Sequence, residues 1–223
     1  RANANPPINM NNPSDPARLL PYLNREQYGD RPLLFGPSFE ARPTGVDSEP
    51  RFGRVGDKYE IIDMKYDYTY APEDEMFFPR MGHGDDPTKA RLYKQWMGHE
   101  GKPTQGDNLS YFWRYQINWM YWRYFMWNFV GKQNGEQGYM PWDKSKGNWL
   151  SGVSFIDNAR LGNQDKLPSF MKDDQARNKY YFIPLILGLI GFAFQYRKRR
   201  NEWIALLVLF FLTGIGIIIY SNQ

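Results

Sequence analysis

YYFIPLILGLIGFAFQY, residues 180–196, and WIALLVLFFLTGIGIIIY, residues 203–220, carry no formal charge, and RKRRNE, residues 197–202, stands between them. At about 1.5 Å rise per residue each run reaches roughly 26 Å, just short of a ~30 Å hydrocarbon core, so both read as spanning helices. Tyr180, Tyr181, Tyr196, Trp203 and Tyr220 mark their ends with rings that favour the lipid–water boundary. The connection is long enough only for a tight helix–helix turn, so the pair is an antiparallel hairpin. The positive-inside rule then puts Arg197, Lys198, Arg199 and Arg200 on the cytoplasmic face, and residues 1–178 outside. Pro184 falls in the first turn of its helix, where a missing N–H does little harm. Gly188, Gly191, Gly214 and Gly216 either let helices approach closely or reflect ordinary glycine usage in such helices.

Outward from the hairpin the composition changes. The mean hydropathy of −0.68 over 223 residues hides the two runs, because residues 1–178 are polar and hold 15 of the 16 prolines. Residues 1–178 contain 23 basic and 23 acidic side chains, so the net charge of +4 lies entirely in the C-terminal stretch. A basic cluster between apolar runs is no docking face for nucleic acid, which is excluded as a partner. No cysteine means no disulfide, thiolate metal site or Cys nucleophile, and two histidines leave little for a His triad. An exported region of this length needs a leader, yet RANANPP has no charged n-region or apolar h-region. An upstream segment is therefore expected, either a cleaved signal or the preceding part of a longer polytopic protein.

Residues 1–55 read as extended, Pro- and Asn-rich chain with one short helix. Asp15 caps it, Pro16 takes its first position, Pro21 interrupts it and Gly29 ends it after Tyr28. YLNREQYGDR, residues 22–31, sets Arg25, Glu26, Asp30 and Arg31 close together. This is either a solvated helix end with local ion pairs or a polar binding loop. In a binding loop, an Arg grips phosphate and a carboxylate meets a sugar hydroxyl or a peptide. KYEIIDMKYDYTY, residues 58–70, has the period-2 pattern of a strand or ribbon with Tyr66, Tyr68 and Tyr70 on one face. Glu73, Asp74, Glu75 and the HGDD run at 83–86 could offer oxygen ligands to a divalent cation, but without fixed loop spacing they read as solvated acidic turns. No metal or other cofactor is expected. Asp86 and Pro87 start a helix that runs to Met97 and closes at Gly98.

NLSYFWRYQINWMYWRYFMWNFVG, residues 108–131, is the least ordinary segment, with four of the eight tryptophans. At 100° per residue, Ser110, Arg114, Asn118, Tyr121 and Asn128 share one stripe, Gln116 and Arg123 lie opposite, and aromatic or Met residues fill the flanks. Two arginines near its middle make it a poor spanning helix and suit an interfacial one, over about 108–130, capped by Asp107 and closed by Gly131. A packed aromatic core is the competing reading. Residues 139–167 read as loop, with Trp142 and Trp149 as anchors. No phosphate-binding Gly loop, G-x-S-x-G or His-Glu zinc helix is present.

The strings NPPINMNNPSD, YLNREQYGDRPL, FFPRM, MYWRYFMWNFVGKQN, GNWLSG, ARNKYYFIPLILGLIG and TGIGIIIYSNQ resemble the bacterial membrane family described as protein O-mannosyltransferase-like. That family is common in Bacteroidota and related to a eukaryotic O-mannosyltransferase of receptor ectodomains. The resemblance covers nearly the whole chain. It implies a type-C glycosyltransferase architecture that moves a sugar from a polyprenyl-phosphate donor to an exported protein or glycan acceptor. In that class the catalytic carboxylate lies in the first extracytoplasmic loop, and no residue here matches that position. The remaining helices of a longer protein would then be partners of this chain, along with membrane lipid.

The expected fold is thus a mainly α membrane protein with long loops and a small β ribbon. An exported region over 1–178 precedes a hairpin over 179–223 in the bacterial inner membrane. Arg123, Arg114 and Arg25 are the candidate contacts to phosphate or acceptor, Trp127, Tyr124 and Trp122 a sugar-stacking or apolar wall, and Glu26 and Asp30 hydroxyl contacts. The alternative is a non-enzymatic envelope protein that docks a partner through its exported aromatic surface.

Overall fold

The computed structural model describes residues 7, 12–24, 26, 32–82, 84 and 86–221. Packing divides the chain into two units, Arg1–Asn108 and Leu109–Gln223. This boundary falls inside the aromatic helix, whereas the compartment boundary expected from sequence lies before the hairpin.

In the first unit, helix α1 (Pro16–Leu23) starts as its sequence dictates: Asp15 accepts from the Ala17 and Arg18 N–H groups and Pro16 needs no donor. Pro21 lies within the helix, which ends at Asn24; the expected terminator Gly29 lies outside the described residues. Strand β1 (Phe35–Pro37) pairs antiparallel with β4 (Glu75–Phe77). Between them, β2 (Pro43–Val55) and β3 (Lys58–Tyr70) form a long antiparallel ribbon. Gly56, at φ +63, takes the first position of its two-residue turn. The ribbon shares hydrogen bonds with no third strand, and of its residues only Gly53 is buried. One face pairs Val46 with Tyr68, Ser48 with Tyr66 and Pro50 with Met64, and the other pairs Asp47 with Asp67 and Glu49 with Lys65. Helix α2 (Pro87–Met97) has the predicted Asp86 cap and the predicted Gly98 stop, at φ +81. The core gathers Phe39, Met76, Met81, Tyr93 and Trp96. The FFPRM turn closes it: Phe78 takes φ +51, and the buried Asn108 amide donates to the Phe77 and Phe78 carbonyls and accepts from the Arg80 N–H.

A continuous helix runs from 105 to 129. It comprises α3 (Gln105–Tyr111), a π-helical stretch (Phe112–Trp122) and α4 (Arg123–Phe129). Its start is a capping box, with Thr104 and Asp107 exchanging hydrogen bonds, so Asp107 sits inside the first turn and Thr104 is the cap. Two-residue strands β5 (Gly131–Lys132) and β6 (Asn178–Lys179) pair after it, and Trp149 bridges to Lys132. The stretch expected to be loop contains α5 (Ser154–Leu161), and α6 (Ser169–Lys172) follows. Trp149 does anchor that stretch, whereas Trp142 is exposed.

The C-terminal hairpin consists of α7 (Ile183–Lys198) and a second helix made of α8 (Arg200–Phe211), a π-helical turn (Leu212–Gly216) and α9 (Ile217–Ser221). Helix α7 starts later than expected because Tyr181 and Phe182, at φ +53 and +61, turn the chain into it. Among the described residues Arg200–Tyr220 is the one helix long and apolar enough to cross a membrane, with mean hydropathy 2.5, and that stretch is wholly unburied.

Candidate functional site

Three rare strings converge in the second unit. The Val130 carbonyl accepts from Tyr180, Gly131 from Leu150, Ser151 from Tyr181, and Asn148 from Gln133. This junction ties the end of the aromatic helix and the GNWLSG loop to the start of α7. Side-chain amides hold the loop: Asn134 bonds Ser145 and Gly147, Gln133 bonds Lys144 and Asn148, and Asn148 bonds Asp143 and Lys146. Asp157 of α5 is buried and accepts from the Ser151 N–H and hydroxyl and from the Gly152 N–H, at 2.7–2.9 Å. Arg160 lies 3.4 Å over the Trp149 ring, and burial pushes its guanidinium down to about 10 while Asp157 works in the other direction.

Arg123 belongs to this framework. It is 4% exposed, donates from Nε to the Trp119 carbonyl at 3.0 Å and from Nη1 to the Gly147 carbonyl at 2.6 Å, and sits near the rings of Trp119 and Trp127. Burial pushes its guanidinium below the ordinary arginine range, with Tyr115 opposing. Gln116 is also buried, so the stripe expected to be wet on that side is internal, while Arg114, Asn118 and Asn128 are exposed. Trp127 is buried beside Arg123 and Lys132, whereas Trp122 and Tyr124 are exposed. Arg123→Ala is expected to cost about 3 kcal/mol in chemical denaturation in detergent, since it opens a cavity and strips the Gly147 carbonyl of a charged donor. Arg123→Lys should recover less than half, because an ammonium cannot serve both carbonyls; a wild-type midpoint for the alanine variant would refute this role.

Among the open clefts of the first unit, one joins a sequence candidate to the ribbon. A cleft of about 490 Å³ is lined by Arg18, Pro21, Glu26, Arg51, Phe52, Ile62 and Asp63. Arg51 bridges Glu26 and Asp63, and Arg18 pairs with Asp15. The Nε atoms of both arginines are buried and make no hydrogen bond among the described residues. The Phe52 ring is 48% exposed. The cleft thus offers an aromatic face beside an alternating set of charges that neutralise one another, which suits a neutral polar ligand with donors and acceptors better than a bare phosphate.

Of the sequence candidates, Glu26 lines this cleft, Arg25 and Asp30 lie outside the described residues, and Arg114, Trp122, Arg123, Tyr124 and Trp127 share the aromatic helix. Arg18, Arg51, Phe52 and Asp63 escape the sequence reading because the partners of Arg51 are brought to it by β2, whose strand character the sequence does not announce.

Residues 29–113 match the model of a family of unknown function, DUF8416. The match takes in the ribbon, the FFPRM turn and α2, and ends within the aromatic helix. No curated protein and no solved structure matches the chain.

Proposed function

We propose that this chain is part of an integral-membrane glycosyltransferase of the bacterial inner membrane. It transfers a sugar from a polyprenyl-phosphate donor to an exported protein or glycan, with residues 1–178 on the periplasmic side. The observation that carries the membrane placement is the hairpin, which buries none of its large apolar side chains and turns through Arg197, Lys198, Arg199 and Arg200. The transfer chemistry rests on the resemblance of the long strings. The catalytic carboxylate comes from outside this chain and takes the acceptor hydroxyl proton. Glu26 in the cleft contacts an acceptor hydroxyl, and Arg114, Trp122 and Tyr124 face the lipid-linked donor.

The absence of cysteine makes sidedness testable. In spheroplasts carrying the full-length protein, Ser48→Cys should react with a membrane-impermeant maleimide, and Arg199→Cys only after permeabilisation. The opposite pattern would overturn the orientation. Loss of the gene should remove glycans from exported proteins, and an unaltered glycoproteome would refute the enzyme. The exposed ribbon, which pairs with no third strand, favours the second reading, a non-enzymatic envelope protein that docks a partner; intact glycans together with correct sidedness would select it.

A further inference from the structure

The aromatic helix is fastened to the hairpin at one height. Trp203 packs against Phe192 and Tyr196, ring centroids 4.9 and 5.0 Å away, which fixes the register of the two helices near the turn. At about 1.5 Å per residue, Ile183 lies roughly 17 Å above that level along α7, and Gly214 roughly 17 Å along the second helix. The two are therefore level, at the outer end of α7. Gly214 is also where the aromatic helix docks: a Cβ there would lie 2.6 Å from Cε2 and 2.9 Å from the hydroxyl of Tyr121. Below this notch Tyr121 and Phe125 meet Phe210 at 6.3 and 5.9 Å, and Phe125 continues to Trp122 at 5.4 Å and Phe129 at 4.7 Å.

Trp122 is 44% and Phe129 39% exposed, and they form one surface with Phe210, itself exposed. Whatever medium surrounds the hairpin at Phe210 therefore also meets Trp122 and Phe129. Asn118, one turn before Trp122 on the same side of the helix, and Asn128 are exposed as well. We infer that the 112–129 segment is a lipid-seated wedge, with Trp122, Phe125 and Phe129 among the acyl chains of the outer leaflet and its height set by Tyr121 in the Gly214 notch. The wedge widens the apolar band at its outer edge. Tryptophan and tyrosine suit this level, where one end of the ring is apolar and the other wet.

The inference rests on the membrane reading, and the test separates the two. Single-cysteine nitroxide labels at Trp122, Phe129, Ser48 and Leu206 of the full-length protein in phosphatidylcholine–phosphatidylglycerol vesicles report collision with oxygen and with an aqueous nickel chelate. Labels at 122 and 129 should lose chelate broadening, as the hairpin label at 206 does, while the label at 48, on the exposed ribbon, keeps it. Chelate access at 122 and 129 with 206 protected would overturn the wedge and leave the hairpin in the membrane. Chelate access at 206 would overturn the membrane reading itself. Tyr121→Ala, which introduces no clash, should restore chelate broadening at 129 with 206 still protected; unchanged protection at 129 would overturn the notch as the element that sets the height.

Discussion

Gly131→Ala is expected to lower thermal stability by on the order of 10 °C. Gly131 sits at φ +140, outside the region open to other residues, and a Cβ there would lie 2.5 Å from the Leu150 carbonyl oxygen and 2.6 Å from that of Asn178. Both obstacles are backbone, one in the GNWLSG loop and the other in β6. Neither can retreat without breaking the Leu150 N–H bond to Gly131 or the β5–β6 pair. Strain and lost hydrogen bonds together come to about 3–5 kcal/mol. Gly162 supplies the control, because it also has positive φ, at +86, with nothing within 4 Å of its added Cβ. Gly162→Ala should cost only the conformational part, about 1–3 kcal/mol at a ψ of 178 that favours glycine. Equal losses for the two variants, measured by tryptophan fluorescence during heating in detergent, would show that the junction yields and that the close approach does not matter.

Asp157→Ala should be nearly as severe. Its carboxylate is the acceptor for three donors, two of them backbone N–H groups. Removing it leaves those donors buried, and it also removes the negative charge that Arg160 and Arg177 face. A loss of about 3–5 kcal/mol follows from stranding a buried charge network on one side. Asp157→Asn keeps the shape but turns an N–H toward a donor, so it should recover only part of the loss. A full recovery would mean that shape, and not the accepted hydrogen bonds, holds the Ser151–Gly152 turn.

These two positions also show what the sequence discloses. The helix around 87–97 is legible to the residue because its signals are local: Asp before Pro at one end, Gly at the other. β3 is legible because alternation is local as well. Its partner β2 is not, since Pro43, Gly45, Asp47, Pro50 and Gly53 all read as turn or loop, and only pairing with β3 makes them a strand. The π-helical winding over Phe112–Trp122 has no counterpart in a 100° projection, yet the projection does separate exposed Arg114 and Asn118 from buried Gln116 and Arg123. What it cannot tell is that a polar stripe may face inward, because the carbonyl that receives Arg123 is Gly147, far along the chain. The GNWLSG and NKYYFIP strings stand out by rarity alone; that they touch, through Ser151, Gly152 and Tyr181, is a property of the folded junction. The cleft at Glu26 is half legible for the same reason, as a charged loop awaiting partners from the ribbon.

The ribbon carries one more consequence. Two strands of 13 residues, with unpaired ladder groups along both rims, are the shape on which further copies stack into fibrils. Several features oppose that here. Pro43 and Pro50 have no N–H to offer a newcomer, extra residues at Thr44 and Ile62 break the flat repeat, and Asp47 faces Asp67 across the strands. In-register stacking would repeat that acidic pair at every layer, each pair against the next. The segment can therefore emerge unfolded among identical neighbours without seeding cross-β growth.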